Sequence, residues 1–272
     1  MTQPLYDAHI HLAAPSLIEK QEEIFATLSE MKVERVVCNG TSPDDWIDVL
    51  HLAEQHSMVV PAVGLHPWKV PQAKTDWKSQ WIHCLDNSEA VIGEIGLDQW
   101  IDGYDVQLQQ DAFSFQLNQA TRRNLPVSIH CLKAIGPLMD TLRHHPLPQR
   151  GFHLHAYNGP TELLPELVSL GAFFSFNAGQ LKPNRSRILN NIRSVPAERL
   201  LIETDAPDFL PLPEHRPHQL DNSEYNHPAN LVAGYHAIAK VRKADPEELT
   251  AQVGANFRSY FTGFISTITQ AE

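Results

Sequence analysis

The chain has 272 residues, 42% hydrophobic and 19% charged, which is enough apolar material for a large α/β domain and argues against wholesale disorder. A net charge of -11 excludes a broad basic surface for non-specific nucleic-acid binding, although it leaves room for a local cationic pocket, since bound metal ions are not in that count. Cys38, Cys84 and Cys131 form no CxxC pair and are too few for a disulfide framework. The start MTQPLYDAHI has no signal-peptide pattern, and no apolar run reaches membrane-spanning length. The expectation is an acidic, cytoplasmic protein without a membrane partner and with no obligate protein partner visible.

Short runs rich in β-branched and apolar residues recur along the chain. They cover residues 5–12 (LYDAHIHL), 34–41 (ERVVCNGT), 58–67 (MVVPAVGLHP) and 90–98 (AVIGEIGLD), then 125–132 (LPVSIHCL), 151–157 (GFHLHAY), 172–179 (AFFSFNAG) and 199–207 (RLLIETDAP). Stretches of helical period lie between them. One places Val106, Leu108, Phe113, Leu117 and Ala120 on or near a single stripe, and ELLPELVSLG ends at Gly171, a helix stop.

Strand-like runs alternating with helices imply a parallel sheet with crossover helices. Eight is the number that closes a (β/α)8 TIM barrel, while a doubly wound open sheet shares the same alternation. No linker divides the chain, so one domain is expected over residues 1–272. The segment 206–230 carries five prolines and reads as a long loop, which in a barrel would lie over the face where active sites form.

Placement of polar residues is more informative than their number. His51, His56, His144, His145 and His218 fall in helices or loops and read as surface residues. His9, His11, His66, His130 and His155 instead sit at the carboxyl ends of apolar runs, as do Glu94 and Asp205. Those ends converge on one rim of a barrel. Residues i and i+2 of a strand share a face, so His9 and His11 point the same way. Buried Glu and Asp are rare unless paired. His9, His11, Glu94, His130, His155 and Asp205 together therefore point to divalent cations such as zinc or manganese. Of the pair His153 and His155, the latter lies nearer the rim and is the better ligand, with His153 one layer deeper. Glu203 and Asp7 likewise face the same way as Asp205 and His9 from one layer down, where they would orient ligands.

With these pieces in place, the chain resembles the TatD family of metal-dependent hydrolases, within the amidohydrolase superfamily. DAHIHL, VGLHPW, GEIGLD, LPVSIH, HAYNG and LIETDAP carry the likeness, and ANFRSYF resembles the family's closing helix. The resemblance implies a distorted barrel holding two divalent ions, whether zinc, manganese, magnesium or nickel. His9, His11 and Asp205 would hold one, His130 and His155 the other, and Glu94 would bridge them. His66 would contact a substrate phosphate. The implied activity is phosphodiester hydrolysis by a metal-activated water, on a DNA end, single-stranded DNA or a short nucleotide ester. Asp205 would move the water's proton, with Glu94 and His66 as the other catalytic residues.

The surrounding residues depart from the family pattern. After His130 the usual Ser-Arg-Asp/Glu-Ala is Cys131-Leu132-Lys133-Ala134; Asn158 replaces a small hydroxyl; His227 stands where an acid is usual; and Gln99 then Trp100 follow GLD. A phosphate-binding arginine is therefore missing, with Lys133 and Asn158 as substitute substrate contacts. Few cations are expected near the metals, which keeps open cleavage of a C–N or lactone bond in a small molecule. A metal-binding protein without catalysis is a third reading. Trp68, Trp100 and Tyr157 are candidates to stack on a base.

Overall fold

In the computed structural model, which describes residues 1–100 and 102–262, each apolar run contains a strand. These are β1 (Leu5–Ile10), β2 (Val33–Asn39), β3 (Val59–Val63), β4 (Val91–Asp98), β5 (Val127–Leu132), β6 (Phe152–Leu154), β7 (Ala172–Phe176) and β8 (Leu200–Ile202). The helices are α1 (Pro15–Ile18), α2 (Gln21–Glu30), α3 (Trp46–Gln55), α4 (Trp77–Asp86), α5 (Val106–Arg123), α6 (Ile135–His144), α7 (Leu164–Ser169), α8 (Ser186–Ser194), α9 (Leu231–Arg242) and α10 (Pro246–Phe257). Every strand pairs with its chain neighbours in parallel, in the order β1 to β8. Just past the strand ends, the Asp205 N–H donates to the His9 carbonyl and the His11 N–H to that of Ala206, both at 2.9 Å. These bonds draw the first and last strands together, so the sheet is a nearly closed TIM barrel rather than an open one. None of the described helices is long and apolar enough to cross a membrane.

The period-two alternation of the strands builds the barrel in layers. Tyr6, Val37, Val60, Val91, Phe173 and Leu201 form one apolar cluster with Phe257, Tyr260 and Phe261, from the end of α10 and the wider helical turn Arg258–Thr262. The closing segment therefore plugs one end of the barrel. Tyr260 Oη donates to the Val127 carbonyl and accepts its N–H, each at 2.9 Å. Burying Phe257 and Phe261 completely contributes about 1.5–3 kcal/mol each. Two residues further along the same strand faces, the side chains turn polar: Asn39 after Val37, Ser175 after Phe173, Glu203 after Leu201. A further two residues bring Asp205 to the rim.

Three ligand candidates fall beyond their strands, His11 by one residue past β1. β6 and β8 are three residues each, leaving His155 and Asp205 in the following loops. The backbone enters left-handed conformations in these loops, at Ala156 (φ 43°) and Asp205 (φ 52°). The α5 stripe also differs from expectation. Leu108 is exposed, whereas Gln109 and Gln116 are buried. Gln109 pairs with the backbone of Asp98 and Gln116 with that of Leu65, replacing ladder partners where strands β4 and β3 end. Gly171 does stop α7, at φ 97°.

The Pro-rich segment is a tied loop. Asn226 anchors it twice, its N–H donating to the Pro207 carbonyl at 2.8 Å and its amide to the Thr204 carbonyl at 3.1 Å. Asn230 and the backbone of His218 exchange two bonds at 3.0 Å. His227 is buried, its Nδ1 accepting the Ala229 N–H at 3.0 Å.

Candidate active site

At the carboxyl-terminal rim the six ligand candidates meet around Glu94. Its Oε2 is 3.4 Å from both His9 Nε2 and His11 Nε2. Asp205 Oδ1 lies 3.7 and 3.4 Å from the same two nitrogens, which are 3.2 Å from each other. The other oxygen, Oε1, is 2.9 Å from His130 Nδ1 and 2.7 Å from His155 Nε2, again with the two nitrogens 3.2 Å apart. One carboxylate thus faces two separate donor sets.

The other ring nitrogens decide which atoms present lone pairs. His11 Nδ1 donates to the Asn39 carbonyl at 2.9 Å, and His130 Nε2 to Asp98 Oδ2 at 2.7 Å. His9 Nδ1 meets Ser128 Oγ at 3.0 Å. In its neutral form each of these three rings turns an unprotonated nitrogen to the rim, the arrangement that fixes a metal-binding tautomer. Two imidazole lone pairs 3.2 Å apart repel unless a cation lies between them. An ion about 2.0–2.1 Å from tetrahedral nitrogen ligands would hold them about 3.3 Å apart, so the donor sets fit divalent metal.

His66 behaves differently. Its Nδ1 accepts the Trp68 N–H at 3.1 Å, so the neutral ring carries its proton on Nε2, which is 3.4 Å from Glu94 Oε1. It presents a donor to the cavity, not a ligand lone pair.

The electrostatics match a cation-binding rim. Burial would raise the Glu94 carboxyl, yet the imidazoles of His155, His66 and His9 outweigh it and hold the group well below its ordinary range. Asp205 is likewise held down against burial by His11, His9 and His155. Burial drives His9 down to about 4, which keeps it neutral. His130 is opposite: burial opposes its charge, but Asp98 and Glu94 carry it up to about 9.

The deeper residues act at one remove. Asp7, raised to about 7 by burial, touches no imidazole. It accepts the backbone N–H of His9 at 3.1 Å, with the N–H and hydroxyl of Thr204 at 3.0 and 2.6 Å. His153 bridges Ser128 Oγ at 3.2 Å and Ser175 Oγ at 2.6 Å. Ser175 in turn donates to Glu203. Hydrogen positions consistent with a neutral His9 run one way, from His9 through Ser128, His153 and Ser175 to Glu203. Burial raises Glu203 to about 8. Its oxygens take the Ala156 N–H and the Asn177 amide besides Ser175, and it stays 4.0 Å from His155 Nδ1, outside hydrogen-bond reach. The residue that does orient a ligand imidazole by carboxylate is Asp98, which sequence reasoning does not single out. Asp98 lies four residues after Glu94 in GEIGLD, and strand periodicity is the signal that could find it.

A cavity of about 760 Å³ opens above the rim. Trp68 and Trp100 line it, with rings 6.3 Å apart, and Trp68 lies 5.1 Å from His66 and 6.4 Å from His130. Asn158 lines it too. Lys133 does not: it stands exposed on a left-handed turn (φ 55°). Tyr157 is also outside, buried with its hydroxyl on the Pro160 carbonyl at 2.8 Å. Charge on the wall is mixed, with Asp44, Asp45, Asp48 and Asp208 lining it beside three cations. Lys69, Lys182 and Arg185 all reach the wall, brought by loops whose path the local sequence does not encode.

Comparison with known proteins agrees with this geometry. The family model of TatD related DNase matches residues 6–262. The chain is 27% identical over 259 residues to the uncharacterized metal-dependent hydrolase YabD of Bacillus subtilis, covering 94% of this chain and 98% of that one. It is 29% identical over 259 residues to the 3'-5' ssDNA/RNA exonuclease TatD of Escherichia coli K12, again 94% and 98%. The crystal structure of the TatD homolog YjjV from Escherichia coli K12 superposes with a TM-score of 0.86 at 25% identity, over 96% of this chain and 99% of that one. A match over nearly the whole barrel, with histidines and carboxylates gathered on its rim, makes this chain a member of the TatD-related DNase family, a metal-dependent hydrolase.

Proposed function

We propose that the chain is a two-metal phosphodiesterase acting on the free end of a single-stranded nucleic acid or on a short nucleotide ester. The observation that carries this reading is the split of Glu94, whose two oxygens face different donor sets on the floor of a cavity lined by Trp68 and Trp100, with Lys69, Lys182 and Arg185 set among carboxylates. The exonuclease name of the Escherichia coli relative supports the same substrate class.

His9, His11, Glu94 and Asp205 would hold one ion, and His130, His155 and Glu94 the other. The second set would supply three protein ligands, the number typical of catalytic zinc sites. Zinc or manganese suits this mixture of imidazole and carboxylate best, with magnesium and nickel as alternatives. Ions held by these residues would lower the pKa of water to about 7 and polarise a phosphoryl oxygen.

The chain's own groups do the rest. Asp205 turns Oδ1 to His9 and His11, leaving Oδ2, 3.7 Å from His155 Nδ1, to take the proton of the attacking water and return it to the leaving group. The His66 Nε2–H donates to a non-bridging phosphate oxygen. Asn158 offers an amide to the same substrate. Asp98 and the Asn39 carbonyl hold His130 and His11 in their ligating tautomers.

The C–N or lactone alternative stands on a scarcity of cations; Lys69, Lys182 and Arg185 line the cavity and favour the phosphodiester, while Asp44, Asp45, Asp48 and Asp208 line it too and keep the alternative in the test. The test is a turnover panel on metal-reconstituted protein: a simple phosphodiester, a phosphomonoester, single-stranded DNA, lactones and amides. Cleavage of the diester and the DNA is expected. Activity confined to lactones or amides would overturn the reading.

A further inference from the structure

A second groove of about 340 Å³ lies beside the active-site cavity, between the 181–183 turn, α8, the Pro-rich loop and α9. Leu181, Pro183 and Leu212 supply apolar wall, and Lys182, Arg193 and Lys240 supply charge. Glu214 and His215 also line it. Lys182 borders both spaces, so the groove adjoins the active-site cleft at that residue.

Its charge is anomalous for this protein. The chain carries 32 acidic and 21 basic residues, yet between Glu166 and Glu198 it has no Asp or Glu and four cations: Lys182, Arg185, Arg187 and Arg193. All four are exposed, as is Lys240. On an acidic molecule, one cationic strip leading from the catalytic rim selects a polyanion and aligns it.

We infer that this groove is an extension of the substrate site, which holds the phosphates of a single-stranded nucleic acid several nucleotides from the bond being cut. The inference rests on the phosphodiesterase reading and deepens it from nucleotide ester to polymer. Charge complementarity and the shared border at Lys182 identify the occupant, and the apolar walls accept unpaired bases. A duplex has its bases turned inward and would gain only the interactions with its phosphates.

The experiment compares a thymidine dinucleotide with a thymidine 12-mer as substrates of the metal-loaded full chain. The 12-mer is expected to have a KM about tenfold lower, because only it reaches the groove. Arg193→Gln combined with Lys240→Gln should raise the 12-mer KM about tenfold with kcat retained, and leave the dinucleotide constants as they were. The slope of log affinity against log salt should fall by about 1.4, at about 0.7 for each single-strand phosphate that the double variant no longer neutralises. Glu214→Gln should move the 12-mer KM the opposite way, which a merely structural role would not do. Equal KM for both lengths, or a double variant that tracks the parent on the 12-mer, overturns the groove while leaving the catalytic reading intact. Failure to cleave any diester overturns the catalytic reading instead. Anisotropy of a fluorescein-labelled 12-mer then decides the groove alone: salt-sensitive binding that disappears in the double variant upholds it, and no binding overturns it.

Discussion

Asp98 Oδ2 takes the Nε2–H of His130 at 2.7 Å, and that single bond turns Nδ1 of the same ring onto Glu94 Oε1 at 2.9 Å. The atom that His130 would offer a metal is therefore chosen by a residue that touches no reacting atom. Asp98→Asn should weaken one of two metal equivalents by about 10–100-fold, the usual effect of losing such a partner. Competition titration against a chromogenic chelator would resolve the two sites; two unchanged affinities would dismiss this role.

Asp205→Asn should lower turnover about 10²–10⁴-fold, the range for lost acid–base assistance, with the fold retained. Asp205 sits at φ 52°, a conformation that Asn adopts more readily than most residues. Glu94→Gln should remove turnover at least as far, since it neutralises the carboxylate shared by both donor sets. Rates would be measured with metal content determined for each sample. Parent-like activity in either variant would refute the assignment.

Gly96→Ala should destabilise the protein and weaken metal binding together. Gly96 has φ 142°, and a Cβ there would stand 2.0 Å from the His130 carbonyl oxygen. The backbone conformation alone costs about 1–3 kcal/mol for a non-glycine residue. A lower urea midpoint, with disturbed occupancy of the His130 site, is expected. An unchanged midpoint would show that β5 yields freely.

Trp100 is 56% and Trp68 40% exposed, so neither is held there by core packing. Stacking on a base is worth about 1–3 kcal/mol, so Trp68→Ala should raise KM for DNA roughly 5- to 150-fold, and Trp100→Ala within the same range. KM for a dialkyl phosphate, which has no base, should not move. Equal effects on both substrates would assign the tryptophans to shaping the rim.

What can be read from the sequence follows physical locality. The strands are legible because each is a short β-branched run between helical stretches, and His9, His11, Glu94, His130, His155 and Asp205 stand out as polar groups at their ends. Asp98 is equally legible by period and, as a carboxylate in an apolar strand, calls for a partner; what the sequence does not encode is that the partner is His130, one strand over. Gln109 and Gln116 are not: a polar residue beside an apolar helical stripe reads as solvent-facing until the strand ends it serves are known. Lys182 and Arg185 are not either, because their approach to the rim depends on a turn packed by Gly179 against Phe209, where a Cβ would lie 2.0 Å from the Phe209 carbonyl oxygen. Lys133 misleads the opposite way: adjacency to His130 in sequence suggests proximity, and a left-handed turn carries it outward.

The seam between the first and last strands has a consequence for synthesis. Asp7 and Thr204, joined across it, are 197 positions apart, and His9 is tied to Asp205 beside them. On the ribosome, a nascent chain shorter than that span holds two histidines of one donor set without the carboxylate that completes it. The plug from Phe257 to Phe261 emerges later still. Assembly of the full donor set is thus withheld until nearly the whole polypeptide has been translated, so the site forms last and all at once.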